Sequence, residues 1–142
     1  MQKSEQAALT RGIHHLGLTV PDVEAAAAFF VGTLGMTEVG RRPAYPAIFV
    51  SDGTVMLTLW QAENAAAATP FDRRGNIGLH HVALAVADTA TLDRLHGTLA
   101  ETTGVEIEFA PEPLGANAFR HMMCTIPGGV RVEFIAPVAA AE

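Results

Sequence analysis

One stretch of this chain occurs twice. Gly12-Ile13-His14-His15-Leu16-Gly17-Leu18-Thr19-Val20-Pro21-Asp22 returns as Gly78-Leu79-His80-His81-Val82-Ala83-Leu84-Ala85-Val86-Ala87-Asp88, with the histidine pair, the apolar alternation and the closing Asp at a constant offset of 66 residues. An internal repeat constrains a fold more than any single motif, because the copies must form equivalent units with matching side chains in matching places.

Each copy predicts the same unit. Residues 13–20 alternate and stop at Pro21-Asp22, so they read as a strand with His15, Gly17 and Thr19 on one face and His14, Leu16, Leu18 and Val20 on the other. Asp22 is an N-cap type, and Val23, Ala26, Ala27, Phe30 and Leu34 follow at helical spacing until Gly35. Three short strands are expected next, over 37–40, 47–51 and 55–60, with Asp52-Gly53 as a hairpin turn. After an Ala-rich, Pro-containing segment the pattern restarts. It has a strand over 79–86, an Asp88-capped helix carrying Leu92, Leu95 and Leu99, and strands over 106–109, 119–126 and 130–135, the last two joined by Pro127-Gly128-Gly129.

The expected fold class is therefore α+β, with two tandem βαβββ modules forming a curved mixed sheet around a shared cavity. The predicted organisation is an N-terminal tail over 1–11, module one over 12–60, a linker over 61–77, module two over 78–136 and a C-terminal tail over 137–142. Composition narrows the partners. With 9 basic against 15 acidic residues and a net charge of −6, nothing resembles a nucleic-acid footprint. No apolar run reaches the roughly 20 residues of a membrane span. A lone Cys124 forms no internal disulfide and no thiolate zinc cluster. Together with an N-terminal stretch that lacks the blocks of a signal peptide, this gives the cytoplasm as the expected location and a small molecule as the expected partner.

Aligning the last strands of the modules makes Thr58 the counterpart of Glu133. The equivalent inward positions are then His15, His81, Thr58 and Glu133. Two imidazoles and one carboxylate form a competent set for a divalent ion and leave coordination positions open; Thr58 is a poor ligand.

At this point the chain resembles a known family. The doubled H-x-x-L-x-V-x-D, each followed by a helix, and the closing P-G-G-x-x-V-E-F are similar to the vicinal oxygen chelate superfamily, over nearly all of residues 12–136. That superfamily includes glyoxalase I, extradiol dioxygenases, fosfomycin-resistance enzymes, methylmalonyl-CoA epimerase and metal-free bleomycin-resistance proteins. The resemblance implies His15, His81 and Glu133 as metal ligands for Fe(II), Mn, Ni, Co or Zn. It also implies a homodimer with sites at the subunit interface, His15 coming from one chain and His81 and Glu133 from the other. The fourth family position, a Glu or Gln in glyoxalase I and the epimerase, falls on Thr58, which counts against glyoxalase I. The tyrosine that the dioxygenases place ten residues before the final Glu falls on Met123.

The resemblance thus implies a metalloenzyme that chelates a small organic substrate through vicinal oxygens, with oxygenase-type chemistry slightly favoured. A glyoxalase I-like lyase or isomerase is one alternative, and a metal-free small-molecule binding protein of the bleomycin-resistance kind is another. His121 shares the strand face of Met123 and is the candidate general acid or base. Thr58, Phe49, Trp60, Phe119, Met123 and Arg131 are the expected pocket residues, with Met56 beside them. Arg131 is expected to pair with a carboxylate, His14 and His80 to pack on the helix-facing side, His96 and the Arg73-Arg74 pair to meet solvent, and Cys124 to be buried.

Overall fold

The computed structural model describes residues 7–138; residues 1–6 of the expected N-terminal tail and 139–142 of the C-terminal one lie outside them. The first unit consists of strand β1 (His15–Val20), helix α1 (Val23–Ala28) running into a π-helical turn (Phe29–Thr33), and strands β2 (Thr37–Arg42), β3 (Ala47–Ser51) and β4 (Met56–Gln61). The second consists of β5 (Val82–Ala85), α2 (Thr89–Ala100), β6 (Glu106–Leu114), β7 (Phe119–Thr125) and β8 (Arg131–Pro137). These are the two βαβββ modules that the repeat predicts.

Each module makes one four-stranded mixed sheet, ordered β1-β4-β3-β2 in the first and β5-β8-β7-β6 in the second. β1 runs parallel to β4, as β5 does to β8, and all other pairs are antiparallel. A parallel partner needs a crossover, which the intervening helix supplies. Asp22 and Asp88 each cap their helix, accepting from the backbone N–H of Ala25 and of Thr91. Gly35 ends the first helical segment at φ +77, a left-handed value that costs glycine nothing.

The alternation of the sequence becomes the two faces of each sheet. Leu18, Val20, Leu57, Leu59, Ile48 and Val50 of module one, and Leu84, Met122, Cys124, Val132 and Phe134 of module two, join the helices' Phe30, Leu92 and Leu99 in one buried cluster. Both modules thus share a core on their helix side and turn the opposite faces, which carry the histidines, away from it. Among the described residues no helix is long and apolar enough to cross a membrane.

Four expectations are corrected. β6 continues to Leu114 through Pro111 and Pro113, which the sequence reading took as the strand's end. It is an edge strand with register shifts after Ile107 and after Phe109, the setting in which proline costs no ladder bond. β5 starts at Val82, not at 79: Val82 pairs with Val132, and residues 79 and 80 fall opposite 129 and 130, before β8 begins at Arg131. Gln61 closes β4 and is not linker: its Oε1 accepts from Val23 N at 2.9 Å and its Nε2 donates to Pro21 O at 2.7 Å, satisfying a free donor at the start of α1. Pro137, placed in the tail, is the last residue of β8.

Candidate active site

β8 alternates Arg131, Glu133 and Ile135 with Val132, Phe134 and Ala136, so Glu133 leaves the core and faces the other way. Register places it opposite Ala83 on one side and Met123 on the other. In the first module Thr58 stands opposite Gly17, the residue 66 positions before Ala83. Thr58 and Glu133 thus hold the same place in the two modules.

Glu133 is 8% exposed, and a buried carboxylate must be compensated. Two imidazoles flank it. His121 Nδ1 lies 3.3 Å from Oε2, and His81 Nε2 lies 3.7 Å from Oε1. His121 is held by the Phe109 ring, centroids 4.9 Å apart, and its Nε2 faces Glu112 Oε1 at 3.7 Å. The sequence placed His121 on this face; its contact with Glu133 follows from cross-strand packing of β7 on β8, which strand parity does not give.

Next to Glu133 on the same face, Arg131 is also buried and donates to Glu108 from Nε and Nη2. Glu108's carboxyl is held below its usual range, chiefly by that hydrogen bond. Arg73 from the linker pairs with the same carboxylate, so it does not simply face water as expected. Nor does His80 pack on the helix side: it is exposed, and its Nδ1 sits 3.3 Å from Arg131 Nη1. β5 begins after His80, so strand parity does not govern its side chain. His14, ahead of β1, is exposed for the same reason, and His96 is half-buried.

These contacts assign a proton. Arginine only donates, so His80 Nδ1 is an acceptor; its pKa is lowered first by burial and then by the Arg131 charge, consistent with a neutral ring. His81 Nδ1 lies 2.7 Å from the same nitrogen and must carry the hydrogen between them. In the neutral ring His81 Nε2 then keeps its lone pair and faces Glu133 Oε1. In that tautomer the two groups face each other 3.7 Å apart as a nitrogen and an oxygen donor. Metal–nitrogen and metal–oxygen bonds are roughly 2.0 to 2.2 Å long, so the spacing suits two ligands of one ion after slight closure.

Among the described residues no three His, Cys, Asp or Glu side chains are arranged to hold an ion, and the polar contact of His15 is with His14 alone. The expected triad of His15, His81 and Glu133 is therefore not assembled within one chain; the pair His81 and Glu133 is.

The remaining expected pocket residues fall on the outward faces of two different sheets. Thr58, Phe49 and Trp60 belong to the first, with Trp60 Nε1 donating to Thr58 Oγ1 at 2.9 Å. Met123, buried, and Phe119, 43% exposed, belong to the second. Cys124 is fully buried on the opposite face, and burial pushes its thiol up to about 11. A cavity of about 600 Å³ lies between β1, the linker and the turn before β8, lined by Gly17, Ala65, Phe71, Ile77 and Val130 among others; it touches neither His81 nor Glu133.

A doubled βαβββ chain with a histidine and a glutamate on the outward face of its second sheet defines a class, and the comparisons agree with it. The chain belongs to the Glyoxalase/Bleomycin resistance protein/Dioxygenase superfamily, whose family model matches residues 12–134. Its fold is shared with lactoylglutathione lyase from Agrobacterium tumefaciens (22% identity, 91% of this chain and 96% of that one, TM-score 0.69). A glyoxylase/bleomycin resistance protein/dioxygenase domain from Frankia sp. EAN1pec is similar (21%, 90% and 93%, 0.73). So is the genomically encoded fosfomycin resistance protein FosX from Listeria monocytogenes (16%, 90% and 94%, 0.70). No curated protein matches the chain in sequence.

Proposed function

We propose that this chain is an enzyme acting on a small organic molecule whose two neighbouring oxygens bind at a divalent ion held by His81, Glu133 and His15, the last supplied by a second copy of the chain. The observation that carries this reading is His81 Nε2 set 3.7 Å from the carboxylate of the buried Glu133. When bound, the ion supplies Lewis acidity to the chelated oxygens, or, as Fe(II), a place for oxygen. The residues of the chain do the rest. Arg131 and His80 fix the ring of His81. Glu133 contributes charge. His121, held by Phe109 and Glu133, moves a proton to or from bound substrate at Nε2.

Three protein ligands would leave positions of the ion open to substrate. Thr58, where glyoxalase I carries a ligand and base, has its oxygen engaged by Trp60. Both points lean the reading toward oxygenase-type or addition chemistry over glyoxalase I isomerisation. A single, buried cysteine suits a reducing cytoplasm.

One observation favours a second reading. The described part of one chain assembles no metal triad, and Glu133 is already flanked by two imidazoles; a metal-free protein that binds a small molecule would be built this way. Elemental analysis separates the two. After incubation with Fe(II), Mn, Ni, Co or Zn and desalting, the enzyme reading expects one ion per site in the wild type and none in Glu133→Ala or His81→Ala. A wild type that retains no ion, together with a His15→Ala variant that binds small molecules unchanged, supports the binding protein.

A further inference from the structure

The outward face of the first sheet carries no carboxylate ligand, and its side chains are laid out in rows by the strand register. One row runs Gly17, Thr58, Phe49, Gly40 across β1, β4, β3 and β2; the next runs Thr19, Trp60, Ala47, Arg42. Small residues alternate with large ones, and the large ones lie down over them. A Cβ on Gly40 would come within 3.0 Å of Phe49 Cδ2, and one on Gly17 would lie 3.2 Å from Thr58 Oγ1 and 3.5 Å from Trp60 Nε1. The indole N–H, the one polar atom of that ring, is spent on Thr58. Tyr45 meets Trp60 edge-on, centroids 5.0 Å apart, and Phe49 tilts against it at 5.9 Å. The result is a low aromatic floor that is still half-open to solvent.

A cation stands at the edge of that floor. The Arg42 guanidinium lies 5.8 Å from the Phe49 centroid. Its neighbour Arg41 is taken by Glu24 and Glu38, whereas Arg42 has no carboxylate partner among the described residues. A flat π-system gains by stacking on such rings, and an anion on its rim answers the free guanidinium.

We propose that the Phe49–Trp60–Tyr45 floor and Arg42 form a substrate subsite for a planar aromatic acid. This rests on the reading of the outward sheet faces as the walls of a substrate cavity. Module one thus selects the molecule by shape and charge beside the His15 it lends to the ion, and module two supplies Glu133, His81 and His121.

The probe is 2-naphthoate, with cyclohexanecarboxylate as the acid without a π-face and 2-naphthylmethanol as the ring without a charge. Binding is measured by calorimetry and by the emission of Trp60, the only tryptophan in the chain. 2-Naphthoate should bind at least about tenfold more tightly than cyclohexanecarboxylate and perturb the emission. Trp60→Leu should abolish that preference. Arg42→Gln, at the surface and safe for folding, should weaken 2-naphthoate by about threefold to tenfold and leave 2-naphthylmethanol unchanged. Equal affinity for the two acids, or an Arg42→Gln protein that binds 2-naphthoate like the wild type, overturns the subsite. So does loss of 2-naphthoate binding in Glu133→Gln, which would place the ring on the second sheet. Metal content of the same wild-type sample judges the metal-centre reading separately, so either can fail alone.

Discussion

At the scale of single residues, Arg131 reaches further than its ion pair with Glu108. Its Nη1 lies 3.3 Å from His80 Nδ1, where it can only donate, and so favours the tautomer in which His81 Nδ1 carries the hydrogen and Nε2 faces Glu133. Removing it as Arg131→Met frees His81 to change tautomer, and partners of metal-bound histidines typically cost about 10- to 100-fold in affinity when lost. Nitrogen-15 shifts of the His81 ring should show the mixed tautomer, and metal titration the weaker site.

The same substitution also changes the acid side of stability. Glu108's carboxyl is depressed mainly by Arg131 and His80's imidazole mainly by burial, so the unfolded chain binds more protons than the folded one as pH falls. Their stabilisation is present above the ordinary imidazole and carboxylate values and is lost below them. Urea midpoints measured from pH 8 to pH 4 should fall, and fall less in Arg131→Met. Cys124 acts at the other end. With its thiol at about 11, a disulfide reagent at pH 8 should label it only after denaturation, and the fold should lose stability above about pH 9 as the unfolded thiol ionises first.

Much of this scale was legible beforehand. Strand parity puts His15, Glu133 and His121 on outward faces because alternation in a strand is a property of the sequence. His80 and Arg73 were misread because they sit outside the ladders, where side-chain direction depends on what lies opposite.

Among elements, the ends of helix α1 and strand β4 are tied by one side chain. Gln61 donates to Pro21 O and accepts from Val23 N, and each such bond contributes about 0.5 to 1.5 kcal/mol net. Gln61→Ala should therefore cost about 1 to 3 kcal/mol in chemical denaturation and leave metal content unchanged. Local pattern found most elements, since capping aspartates and apolar spacing are short-range signals. It missed the outer half of β6, where prolines say stop and only the edge position in the sheet makes them harmless. It also overran β5, whose first two expected residues fall opposite positions ahead of β8.

For the molecule as a whole, the reading of a site shared between copies makes a quantitative expectation. β1 and β5 are each paired on one side only, and His15 lies on the first of these edge strands. If His15 and the His81–Glu133 pair meet across a dimer, His15→Ala and Glu133→Ala chains should each hold no ion. Co-expressed in equal amounts, they should recover about a quarter of the wild-type metal, since half of the dimers are mixed and one of their two sites is whole. No recovery, from a dimer by light scattering, places His15 elsewhere. The repeat announced the doubled architecture; how two copies of the chain come together depends on surfaces that periodicity does not describe.

The two outward faces differ in kind: glycine, alanine and rings dominate one, beside His15 and Arg42, and buried charges and imidazoles the other. The first face can therefore be rewritten at Thr58, Phe49 and Trp60, with His15 kept, to retarget the protein to a new molecule while Glu133, His81 and His121 stay as they are.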